Sequence, residues 1–90
     1  MPTAPLVRIL VTDDEPLIRL DARAVLEDAG YVVVEAASAD EALRLLAESS
    51  KFEAILTDID MPGSIDGLEL ARTVDGQMPE IAAAEGSLRG

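Results

Sequence analysis

A chain of 90 residues with a formal net charge of −11, a single lysine (Lys51) and no cysteine excludes several kinds of protein at once. Such a charge disfavours attraction to nucleic-acid phosphates, the missing thiols exclude disulfide staples and thiolate metal sites, and no run approaches the ~20 apolar residues of a membrane span. Apolar residues make up 49% of the chain, with one Phe, one Tyr and no Trp, which describes one small globular domain with an aliphatic core.

The opening Met1-Pro2-Thr3-Ala4-Pro5 reads as a short tail without the basic region and apolar run of an export signal, so a soluble, cytoplasmic protein is expected. Leu6-Val7-Arg8-Ile9-Leu10-Val11 is then nearly continuously apolar, as in a parallel strand covered on both faces. It runs into acid at Asp13-Asp14-Glu15. Pro16 suits a first helical turn, where its missing N–H costs nothing, and Ile18, Ala22, Val25 and Ala29 fall on one face of the helix it opens. Gly30 closes that helix.

Tyr31-Val32-Val33-Val34-Glu35-Ala36 is rich in β-branched residues and predicts a second strand. Ser38-Ala39-Asp40-Glu41 matches a capping box, after which Ala39, Ala42, Leu43 and Leu46 make the buried stripe of a second helix. Phe52-Glu53-Ala54-Ile55-Leu56-Thr57 predicts a third strand, again ending on acid at Asp58. Residues 59–67 read as a loop, and Leu68, Ala71 and Val74 suggest a short third helix. Strands alternating with helices through short loops imply right-handed crossovers and a parallel sheet, whose site lies beyond the carboxyl ends of the strands.

Asp13, Asp14 and Asp58 converge there only if the first and third strands are neighbours, which the order second, first, third provides. Any one acid at a strand end is most simply a solvated cap. Two acidic strand ends at matched positions make coincidence less comfortable. Three carboxylates brought together repel unless protons are shared or a cation sits among them, and Mg²⁺ suits an all-oxygen donor set that must also meet phosphate. A carboxylate in such a place can accept a phosphoryl group.

These residues are similar to a known family. Val11-Thr12-Asp13-Asp14-Glu15-Pro16 resembles the first-strand motif of two-component response regulator receiver domains, and Ile55-Leu56-Thr57-Asp58-Ile59-Asp60-Met61-Pro62 resembles their phosphorylation-site motif. Asp66-Gly67, Gly30-Tyr31 and Ala36-Ala37 also sit where the family places such pairs, and the match covers residues 6 to about 74. The resemblance implies a flavodoxin-like, doubly wound α/β fold, here truncated to strand order 2-1-3. It implies that Asp58 is the phosphoacceptor, that Asp13, Asp14 and Asp58 bind Mg²⁺ with the backbone carbonyl of Asp60, and that the partner is a histidine kinase or phosphotransfer protein. Pro62 and Gly63 would shape the loop beside the site, and Met61 would pack within it.

The division expected is a tail at 1–5, a receiver-like domain at 6–74 and a divergent tail at 75–90. The family's fourth strand, ending in Ser or Thr, and its fifth, ending in Lys, are not recognisable. Ala82-Ala83-Ala84 are weak strand formers, Ser87 is the only nearby hydroxyl, and no lysine follows Lys51. Met78-Pro79-Glu80-Ile81 begins as a fourth strand does, yet Pro79 followed by Glu80 and three alanines also reads as a short helix ended by Gly86, and the tail is open between these readings and sequence with no structural history. Without a fourth strand, the third would be an open edge, available for a homodimer. Two functions follow: a phosphoacceptor signalling module, or a degenerate receiver that binds partners or dimerises without efficient phosphorylation. A third, a haloacid-dehalogenase-type phosphatase, is suggested by Asp58-Ile59-Asp60 but needs downstream motifs that this sequence does not hold.

Overall fold

Parallel strands buried on both faces must alternate their side chains between two cores, and the first strand does so. In the computed structural model, which describes residues 7–48, 52–58 and 67–86, strand β1 (Arg8–Thr12) directs Leu10 to one core and Ile9 and Val11 to the other. Helix α1 (Pro16–Asp28) follows with Pro16 in its first turn. Gly30, at φ 98°, takes the left-handed conformation that ends it, with Gly30 N–H bonding Glu27 O (3.0 Å) and Tyr31 N–H bonding Leu26 O (3.0 Å).

Strand β2 (Val32–Ala36) leads to α2 (Ala39–Glu48), β3 (Ala54–Asp58), α3 (Gly67–Gln77) and β4 (Ala82–Gly86). The capping box at α2 is present with one shift. Glu41 N–H donates to Ser38 Oγ at 3.1 Å, but the Glu41 carboxylate accepts from Ala37 N–H at 2.6 Å, one residue ahead of the cap.

All pairings are parallel and the order is β2-β1-β3-β4. The expected neighbourhood of β1 and β3 is thus observed, with Thr12 opposite Thr57. The expectation that the sheet stops at β3 is not. Ala82-Ala83-Ala84 forms a fourth strand, not a helix, and the segment 75–90 contributes the end of α3 as well. The reason is tertiary: Ile81 is buried at 3% exposure, its N–H bonds Met78 O, and Ala82 N–H takes Glu53 O at 3.0 Å, which starts a ladder along β3. Pairing and burial outweigh a β-propensity scale that spans only about 1 kcal/mol. Ser87 lies outside the described residues.

The two faces are unequal. Leu10, Ala36, Ala39, Ala42, Leu46, Phe52, Ile55, Leu70, Val74 and Ile81 form the core under α2 and α3. Ile9, Val11 and Val33 form the smaller one under α1, with Ala22, Leu26 and Leu56 partly buried against it. The stripe expected on α1 is rotated: Val25 is 70% exposed and Ala29 is exposed, and the inward positions are Ile18, Ala22 and Leu26. That spacing of four keeps one side of α1 on β1 and β2, where Arg19 and Arg23 also find a partner. No described helix is long and apolar enough to cross a membrane.

Candidate functional site

The site begins where β1 and β3 stop. Asp13 follows Thr12 directly and Asp58 is the last residue of β3, so the pairing of Thr12 with Thr57 brings both carboxylates to one end of adjacent strands. Asp13, Asp14 and Asp58 each offer an oxygen, and the three atoms lie within 4.8 Å of one another. Asp13 is 0% and Asp58 5% exposed, whereas Asp14 is open to solvent. Two buried acids thus stand beside a third that faces solvent.

Asp13 is held on several sides. Its N–H bonds Ala36 O at 3.2 Å, its Oδ1 accepts from Glu15 N–H at 2.9 Å, and its main-chain carbonyl accepts from Arg19 Nη1 at 2.8 Å. The second of these fixes the carboxylate against the turn that opens α1, as aspartate side chains commonly do. The guanidinium of Arg19 also donates from Nε to Glu35 Oε1 at 3.0 Å, and Arg23 donates to Glu35 Oε2 at 2.9 Å. Hydrogen bonding from Arg23, then from Arg19, holds the Glu35 carboxyl below the usual glutamate range against the opposing effect of burial. Hydrogen bonds from Glu35 and Glu27 raise the Arg23 guanidinium in turn.

Gly67, the first residue of α3, sits against the end of β3. A Cβ there would fall on the Asp58 main-chain carbonyl oxygen and 2.9 Å from Thr57 Oγ1, so only glycine fits this approach. Thr57 Oγ1 donates to the same Asp58 carbonyl at 3.0 Å. The sequence pattern gives neither Arg19 nor Gly67 a part in the site. Arg19 had a signal, since a cation in the first turn of a helix opposes the dipole and calls for an acidic or carbonyl partner.

The donor set fits a hard divalent cation. Three carboxylate oxygens this close repel by about 3 kcal/mol per pair at an effective dielectric of ~20, and oxygen-only ligands are what Mg²⁺ takes. Asp60, expected to add a backbone carbonyl, lies outside the described residues, as do Met61, Pro62, Gly63 and Asp66.

Comparison with known proteins places the chain in a family. The response regulator receiver domain family matches residues 9–84. Sensor protein TorS of Escherichia coli is 36% identical over 75 residues, covering 83% of this chain and 8% of its own, and transcriptional regulatory protein AruR of Pseudomonas aeruginosa is 44% identical over 69 residues, covering 72% and 28%. Among solved structures, response regulator protein TrrA of Thermotoga maritima in complex with Mg²⁺-BeF superposes with a TM-score of 0.79 at 35% identity, covering 89% of this chain and 66% of that one. The same protein in complex with histidine kinase ThkA gives 0.81 at 34%. The chain spans only 8–13% of the length of the first three curated relatives it matches. With its parallel order, its acidic strand ends and this match over most of its length, the chain belongs to the response regulator receiver domain family.

Proposed function

We propose that Asp58 accepts a phosphoryl group from a histidine kinase or phosphotransfer protein, in a pocket where Asp13, Asp14, Asp58 and the Asp60 backbone carbonyl hold Mg²⁺. The observation that carries this reading is the meeting of three carboxylate oxygens within 4.8 Å at the carboxyl ends of β1 and β3. An Asp58 carboxylate oxygen attacks phosphorus in line, forming a P–O bond as the P–N bond of a donor phosphohistidine breaks. The electron pair departs on the imidazole nitrogen, which takes up a proton from solvent. A bound Mg²⁺ would supply the charge neutralisation that lets an anion approach an anion. Thr57 and Gly67 keep the Asp58 main chain in place while its side chain reacts. TrrA, whose structures contain Mg²⁺-BeF and a histidine kinase, lends support through its similarity.

On this reading the protein works in the cytoplasm as a signalling domain that is modified, not as a turnover enzyme, with neither nucleic acid nor membrane as partner. The tail expected at residues 1–5 lies outside the described residues. Incubation with Mg²⁺ and acetyl phosphate, with intact mass as readout, tests it: a phosphoryl adduct absent from Asp58→Ala supports the assignment, and no adduct on folded protein rejects it.

One observation favours a second reading, a module that binds or dimerises without efficient phosphorylation. Among the described residues β4 pairs on one side only, with β3, and its Ala82 and Ala84 are exposed, so the edge proposed for a homodimer is that of β4. Sedimentation of the unphosphorylated chain distinguishes monomer from dimer.

A further inference from the structure

A chain of alternating charges crosses the surface from α1 to the acidic pocket and ends on a neutral group. Glu27 pairs with Arg23 (3.1 Å), Arg23 with Glu35 (2.9 Å), and Glu35 with Arg19 (3.0 Å). The other arm of Arg19 then reaches the main-chain carbonyl of Asp13 at 2.8 Å. Two acids and two arginines cancel, so the network brings no net charge to the pocket. Arg19 is also the best covered of the four, its side chain 16% exposed against 25% for Glu35 and more than 40% for the others. A planar fork that donates through two nitrogens at fixed geometry suits a brace between two elements, and lysine cannot reproduce it.

We propose that Arg19 is a positioning residue for the acidic pocket: by tying the Asp13 carbonyl to Glu35 of β2, it fixes the turn from which Asp13 and Asp14 present their carboxylates to a divalent cation. The proposal rests on the reading of that pocket as a cation site. Asp13 and Asp14 are consecutive, so rotation of the peptide between them redirects both donors together, and the Asp13 carbonyl is the oxygen of that peptide. Arg19 holds it directly, and Glu35 holds Arg19 while neutralising a guanidinium that would otherwise compete with the cation. Groups that orient metal ligands from behind affect affinity by ~10–100-fold when removed.

The test compares Arg19→Gln with Arg23→Gln in the 90-residue chain. Both remove one positive charge and one partner of Glu35, but only the first frees the Asp13 carbonyl. Calorimetric titration with MgCl₂ is expected to show Arg19→Gln weakened about tenfold and Arg23→Gln within about twofold of the parent. In metal-free EDTA buffer, the backbone amide resonances of Asp14 and Glu15 are expected to shift and broaden in Arg19→Gln and to stay put in Arg23→Gln. Equal affinities for the two variants, whether both unchanged or both reduced, overturn the proposal. If the parent itself binds no Mg²⁺, the cation-site reading fails, and the metal-free amide spectra still decide whether Arg19 fixes this turn. Should Arg19→Gln not fold, Arg19→Lys, which keeps the charge but lacks the fork, is read by the same two measurements.

Discussion

The two faces of the sheet hold their helices by different means. Under α2 and α3 the sheet meets fully buried aliphatic side chains, including Leu10, Ile55, Leu70 and Val74 at 0% exposure. On the other face α1 has no buried residue at all, Leu17, Leu20 and Val25 are 67%, 56% and 70% exposed, and a groove of about 290 Å³ opens between α1 and Leu56 of β3. What α1 has in place of burial is the Glu35 network. Apolar packing is non-directional and sets stability, while a guanidinium bridge is directional and sets geometry. In this protein the packed face supports the sheet and meets the site at Gly67 against Asp58, while the polar face meets it at the Asp13 carbonyl.

The largest effect expected from this contrast is at Gly67, where the packed face meets the site. Gly67→Ala places a methyl group on the Asp58 carbonyl, and either α3 or the end of β3 must move, so a loss above about 4 kcal/mol is expected in urea unfolding. A small change would mean that the approach of α3 to β3 is slack.

Next come matched truncations on the two faces. Leu10→Ala should cost about 2–5 kcal/mol, as for a buried leucine in a well-packed core, and Leu26→Ala on α1 only about 1 kcal/mol, since Leu26 is partly exposed. Equal losses by chemical denaturation would erase the distinction between the faces.

The polar face should also be the pH-sensitive one. Because the Glu35 carboxyl is held below its ordinary value in the folded state, its contribution is present above the usual glutamate range and is lost as pH falls through the lowered folded value. Thermal unfolding between neutral pH and pH 3 should therefore show a steeper acid-side decline for the parent than for Glu35→Gln. Parallel curves would remove Glu35 from the account.

The smallest effect belongs to α2, which packing already secures. Arg44 pairs with Glu41 and Glu48 across exposed surface at 3.6 and 3.3 Å, and Arg44→Ala should cost no more than about 0.5 kcal/mol beyond helix propensity. A larger loss would show that ion pairs stabilise that face too.

How much of this was legible depended on whether the cause lay within a few residues or across the sheet. The apolar runs of β1, β2 and β3, the helix closure at Gly30 and the capping box at Ser38 are local patterns, and the structure has them where the sequence puts them. The site was legible in part: Asp13, Asp14 and Asp58 stand out as acids ending apolar runs. Arg19 did not, because its partner Glu35 is 16 residues away and meets it only after β2 pairs with β1. Periodicity puts Val25 inward, whereas it is exposed, because periodicity names a helix face without saying how far it rotates against the sheet.

By itself, the sequence determined the alternation of strand and helix and, through motifs carried in two short segments, a family resemblance that implies the order bringing two acidic strand ends together. The tertiary structure alone decided that Ala82-Ala83-Ala84 would be a strand, that Gly67 would be sealed against Asp58, and that Arg19 would brace Asp13. The strand depends on pairing with β3, the Gly67 contact on the packing of α3 against β3, and the Arg19 brace on Glu35, 16 residues away, and neither propensity nor periodicity carries information about such partners.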